Sequence, residues 1–114
     1  MMEPWFFFGI EKISMYEGET VEIPLLKEGE GSGNLWVVTS SGTGAAGAGE
    51  ADYIPIKQLV RFSKNESCKW INVTASTDNK AELNEIFRLQ LLATSQCSIG
   101  QPNTVIITIK NREA

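Results

Sequence analysis

Between Thr77 and Phe87 the chain reads TDNKAELNEIF, with three carboxylates, Asp78, Glu82 and Glu85, just ahead of an apolar run. Carboxylates at that density have three uses. They supply oxygen ligands to a hard cation, they act as a catalytic acid–base pair, or they shape a solvated turn. A catalytic pair needs surroundings that drive the two acidities apart, and no apolar pocket or second role is legible around these groups. The chain has no histidine, which removes imidazole as general base and as metal ligand and excludes most hydrolase triads and most zinc chemistry. The glycine-rich run GTGAAGAG over 42–49 lacks the strand-then-helix context and the lysine of a nucleotide cradle. An enzyme is therefore not expected. Ligation and turn formation remain as the two readings.

Either use requires a scaffold. A chain of 114 residues, 42% hydrophobic and 21% charged, folds as one domain with a modest core. Its net charge of -4 gives no basic face for phosphates, so no nucleic acid partner is expected. The opening apolar run is too short for a signal sequence, with Glu3 where basic residues belong. Nothing else approaches the roughly 18 apolar residues of a membrane span, so no direct membrane insertion is expected. Both ends read as those of a module within a longer protein: one domain over 1–114, with a core of 5–111 and flanks at 1–4 and 112–114.

Hydrophobic alternation of period two recurs along the chain, and no long 3.6-residue period does. One face each is given by Val21/Ile23/Leu25, Leu35/Val37, Val60/Phe62, Ile71/Val73/Ala75, Phe87/Leu89/Leu91 and Val105/Ile107/Ile109; Phe8, Ile13 and Met15 lead into the first turn. Turn-forming residues separate these runs at 29–33, 42–49, 64–67, 77–84 and 98–103. About seven such strands predict an all-β, two-sheet antiparallel sandwich. Pro24 cannot donate to a ladder, which predicts an edge position or a bulge for its strand. Trp36, Val38, Trp70 and Ile106 have outward parity; long loops or the N-terminal PWFFF are expected to cover them, the alternative being a contact patch.

Two sequons, Asn65-Glu66-Ser67 in a turn and Asn72-Val73-Thr74 on an outward position, are glycosylation candidates and favour an extracellular location. Cys68 begins one strand and Cys97 follows the next. That placement admits a disulfide and equally a pair of free thiols, while metal or redox chemistry lacks a C-x-x-C spacing.

In this order the residues between the strands resemble the Calx-beta domain family from Phe8 to Asn111. The matching positions are Phe8 and Ile13 ahead of Met15-Tyr16-Glu17-Gly18; Thr39 with Gly42-Thr43-Gly44 and, after an insertion, Ala51-Asp52-Tyr53; Val60 and Phe62 with Lys64-Asn65-Glu66; Glu85, Phe87, Leu89 and Leu91; and Val105, Ile107 and Ile109. The resemblance implies an immunoglobulin-like sandwich that in some members holds calcium in acidic loops at one end. The positions matching those ligands are Glu17, Asp52, Asp78 and Glu82, with Glu85 a fifth. Two departures thin the set. Thr77-Asp78-Asn79 keeps one carboxylate where strong binders have an aspartate run, and Asn111-Arg112-Glu113 puts a guanidinium near the expected ion. Calcium binding is therefore expected to be weak or absent.

Members of the family occur in sodium–calcium exchangers, in an integrin subunit and in large extracellular adhesion proteins that string many copies together. The resemblance implies a non-catalytic adhesion repeat, with adhesion receptors carrying many repeats as the suggested parent. Its partners would be adjacent repeats and other adhesion proteins, in the extracellular part of a cell-surface or matrix protein. The alternative is a regulatory calcium-sensing domain of the exchanger type.

Overall fold

The computed structural model describes residues 4–41, 52–77, 84–95 and 97–110. Among the described residues there is no helix. The strands are β1 (Trp5–Phe8), β2 (Lys12–Tyr16), β3 (Thr20–Glu28), β4 (Gly33–Ser41), β5 (Lys57–Phe62), β6 (Cys68–Thr74), β7 (Glu85–Ala93), β8 (Ser98–Ile99) and β9 (Thr104–Lys110). They form a four-stranded sheet of order β6-β3-β1-β8 and a five-stranded sheet of order β2-β9-β7-β4-β5. Alternation dictates the packing. Ile23 and Leu25, Leu35 and Val37, Phe87 and Leu89, and Val105 and Ile107 point between the sheets and are fully buried. Phe6, Phe8, Phe62, Phe87 and Tyr53 are the bulkiest members of this core, each contributing about 1.5–3 kcal/mol by burial.

The sandwich differs from the expected seven antiparallel strands in its first strand and near its last. The chain runs in the four-stranded sheet as β1, breaks at Gly9, and joins the other sheet as β2, parallel to β9. Gly9 is required by close approach: a Cβ there would lie 2.9 Å from the Pro24 ring. The 98–103 segment, expected as a turn, contains β8 and lies parallel to β1, where Gly100 N–H donates to the Phe6 carbonyl at 2.7 Å.

Pro24 is neither on an edge strand nor in a bulge, since β3 is internal and paired with both β6 and β1. The Pro24 carbonyl accepts from Gly9 N–H at 2.9 Å, so the Pro24 nitrogen also faces the β1 side. Pairing with β1 extends only from Leu25 to Glu28, so the missing donor falls where no ladder bond is needed. Of the two covers expected for the outward apolar residues, the long loops at 42–51 and 78–83 lie outside the described residues. The N-terminal segment does not cover them, because β1 supplies Phe6 and Phe8 to the core. Trp36 instead lies in register between Leu59 and Leu92 across the outer face of the five-stranded sheet and is half-buried there, while Trp70 on β6 is 58% exposed.

One inward position of β3 carries a lysine. Lys27 is 6% exposed, and its Nζ donates to the carbonyls of Gly31 at 2.7 Å, Ser63 at 3.0 Å and Lys64 at 3.1 Å. Three donors meet three acceptors, so the ammonium satisfies itself while tying the β3–β4 turn to the β5–β6 turn. Replacing it by methionine keeps the stem and takes a donor from all three carbonyls, of which that of Ser63 retains a bond from Glu66 N–H at 3.1 Å. Lys27→Met is expected to lower unfolding stability by about 2–4 kcal/mol in urea titration. An unchanged midpoint would show that water replaces the clip without cost.

Candidate functional site: the acidic turns at one end of the sandwich

Of the segments that carry the expected ligands, the Glu17 turn and the Asp52 segment meet at one end of the sandwich, held there by backbone bonds. The turn after β2 contains Glu17 and Gly18, the latter at φ 80°, a left-handed conformation that glycine adopts freely. Glu19 closes this turn by accepting the Tyr16 N–H through its own carboxylate. Gly18 N–H donates to the Ala75 carbonyl at 3.0 Å, and Ala75 N–H returns a bond to Glu19 at 3.0 Å. Ser76 N–H donates to the Asp52 carbonyl at 2.9 Å, and Ile54 N–H to the Thr74 carbonyl at 3.0 Å. The Glu17 turn, the Asp52 segment and the end of β6 are thus one bonded unit.

What fixes the Asp52 segment is its neighbour. Tyr53 is buried and stacks on Phe87 with ring centroids 4.0 Å apart and planes 4° from parallel. Its hydroxyl lies 3.1 Å from Ser41 Oγ, and its backbone bridges to Ala75. An aromatic pair of this kind adds about 0.5–1.5 kcal/mol beyond its burial.

Glu17, Asp52 and Glu85 are all half-buried, and none of them is without a partner. Glu85 opens β7 on the inward parity of Phe87, paired with Ile109 at the end of β9, and so belongs to the same end. Asp78 and Glu82 lie outside the described residues, as does the stretch 111–113. Among the described residues no group of three or more histidine, cysteine or acidic side chains is placed to hold a metal ion. A calcium ion takes six to eight oxygens, so the described carboxylates alone do not make its site.

Glu19 and Tyr53 had no role in the ligand set, yet they shape the end. The E-G-E spacing and the buried aromatic beside Asp52 are the signals that carry them.

The sequons fall in different settings. Asn65 is exposed in the β5–β6 turn, which Glu66 closes by accepting the Ser63 N–H at 2.8 Å. That backbone bond, and then Lys69 at 3.1 Å, hold the Glu66 carboxyl below the usual glutamate range. Asn72 is exposed on the outer face of β6. Cys68, exposed, and Cys97, buried, are free thiols. They lie by opposite edges of the four-stranded sheet, three strand spacings of about 4.8 Å apart, beyond disulfide reach.

This architecture is an immunoglobulin-like β-sandwich module with acidic turns at one end. The Calx-beta domain family model matches residues 3–113, and the chain belongs to that family. It is 31% identical over 96 residues to adhesion G-protein coupled receptor V1 of Danio rerio, an alignment covering 83% of this chain and 2% of that protein. Among solved structures, the apo form of the Calx CBD1 domain superposes with a TM-score of 0.86 at 15% identity, covering 98% of this chain and all of that one. The calcium binding domain CBD12 of CALX1.1 gives 0.81 at 17% identity, covering 93% of this chain and 44% of that one. At these identities the structural matches establish the fold.

Two outcomes follow for this end and its opposite. Tyr53→Leu is expected to cost about 2–4 kcal/mol and to speed hydrogen exchange at the Ser76 amide; unchanged exchange would place the anchor elsewhere. In an NMR titration Glu66 is expected to protonate below an ordinary glutamate. A carboxyl depressed by folding stabilises the turn above its unfolded pKa, and that contribution is lost as pH falls through the folded value. An ordinary midpoint would remove the carboxylate from the turn.

Proposed function

We propose that the chain is a non-catalytic structural repeat of an extracellular adhesion array, a stiff spacer whose ends meet neighbouring repeats and whose calcium binding is weak or vestigial. The observation that carries this reading is the 31% identity to an adhesion receptor of which the chain spans 2%, the relation expected of one module among many. The scaffold supports it physically. The described residues gather backbone and aromatic anchors at the acidic end, which give it order from the chain's own groups. The hydroxyls beside a shallow depression of about 270 Å³ next to this end are engaged structurally: Thr39 Oγ1 accepts from Ile56 N–H at 2.9 Å, and Ser41 meets Tyr53. That arrangement supports a spacer over an enzyme.

If an ion binds, Glu17, Asp52 and Glu85 from the described turns and Asp78 and Glu82 beyond them would hold it, and it would supply positive charge bridging the end turns. A second reading, a cytosolic calcium sensor of the exchanger type, is favoured by one observation: both cysteines are free thiols, the state a reducing compartment maintains.

Calorimetric titration with calcium, run beside Asp78→Asn, separates the two. The spacer reading expects no heat, or saturation only near the millimolar range of extracellular modules, with little change in the variant. Micromolar binding abolished by Asp78→Asn would overturn it in favour of the sensor.

A further inference from the structure

Trp70 is the most exposed large aromatic among the described residues, at 58%. It lies on the outer face of β6, an edge strand of the four-stranded sheet. Asn72 is two residues further on, so both side chains leave the same face about 6.6–6.8 Å apart along the strand. Across the ladder, Trp70 pairs with Pro24 and Asn72 with Glu22. The next pair, Cys68 with Leu26, continues through Leu26 to Phe7 on β1, so apolar surface extends from the indole across Pro24, Leu26 and Phe7. Asn72-Val73-Thr74 is the acceptor sequence for N-glycosylation.

We infer that Asn72 carries an N-linked glycan whose first N-acetylhexosamine lies over Trp70. The inference rests on the extracellular reading above and adds to it the covering of this face. A pyranose has one face of C–H groups, which packs on an indole as another ring does, and polar edges that need partners. The register supplies both: Trp70 and Pro24 beneath the apolar face, and the exposed carboxylate of Glu22 as an acceptor for a hydroxyl or the acetamido N–H.

The donor is a polyprenyl-diphosphate-linked oligosaccharide. The Asn72 amide nitrogen forms a bond to the anomeric carbon, whose bond to the diphosphate oxygen breaks. The polyprenyl diphosphate leaves with the electron pair, and the amide gives up one proton. Transfer precedes folding, because in the sandwich β6 is paired with β3 and Thr74 Oγ1 lies 2.7 Å from Thr20 Oγ1.

The test is to secrete the full chain from animal cells, map its glycopeptides by mass before and after enzymatic glycan release, and trim the glycan to its first sugar for NMR. The expected result is modification at Asn72. The N-acetyl methyl protons should be shifted upfield by the indole, and the shift should be lost in Trp70→Ala. In a double-mutant cycle of Asn72→Gln with Trp70→Ala, the coupling should be about three- to tenfold in the unfolding equilibrium constant. Both positions are on the outer face, so the variants leave the core intact; Trp70→Leu provides a second apolar replacement.

A secreted chain with Asn65 modified and Asn72 bare overturns the inference and leaves the extracellular reading standing. A glycan at Asn72 with neither an upfield shift nor coupling also overturns it. Failure of the extracellular reading itself is read separately, as micromolar calcium binding that depends on Asp78.

Discussion

A primary ammonium buried at one end of the sandwich sets the terms for the rest. Lys27 follows Ile23 and Leu25 on the inward face of β3, where an apolar residue would continue the core, and ends in the carbonyls of Gly31, Ser63 and Lys64. The two turns it joins come from β3–β4 and from β5–β6, so one side chain fixes both sheets relative to one another. With this end closed by the chain's own cation, the strands leave it in a defined register and deliver the Glu17, Asp52 and Glu85 turns together at the far end. There the closure is of another kind, made by backbone bonds around Ala75 and Ser76 and by the Tyr53–Phe87 stack.

Much of this was legible in the residues because period-two alternation reports which face of a strand meets the core. The inward sets on β3 to β7 and β9 stand as the alternation gives them. Lys27 sits on that same parity, yet a lysine pattern does not announce three carbonyls brought from separate turns; those are a product of tertiary register. The same limit explains Pro24. Its missing donor restricts one side of a strand, and only the end of β1 at Phe8 decides that no donor is needed on this side there. The crossing at Gly9 escaped for a related reason: the break lies in a continuous apolar-rich segment, and the Pro24 ring that requires a glycine there is distant in sequence.

The acidic end was legible by position and less so by function. Motif spacing brought Glu17 and Asp52 to neighbouring turns, as the bonds of Gly18 and Ser76 confirm, and Glu85 to the same end of the sandwich. Ligation requires convergence of oxygen atoms, which spacing does not encode. The cysteines make the same point in reverse. Strand ends at one end of a sandwich admit a disulfide, but sheet order puts Cys68 by one edge and Cys97 by the other.

On the spacer reading proposed above, the core and the two internal closures hold this sandwich, with calcium at most a minor contributor. Urea unfolding of the chain in excess chelator and again in about 2 mM calcium tests it most directly. For a millimolar or absent site, linkage allows a difference of at most about 0.7 kcal/mol; a micromolar site would give about 4.5 kcal/mol. A cooperative transition in chelator, nearly superimposable on that in calcium, is the predicted result. A chain that unfolds in chelator and is rescued by calcium would contradict it.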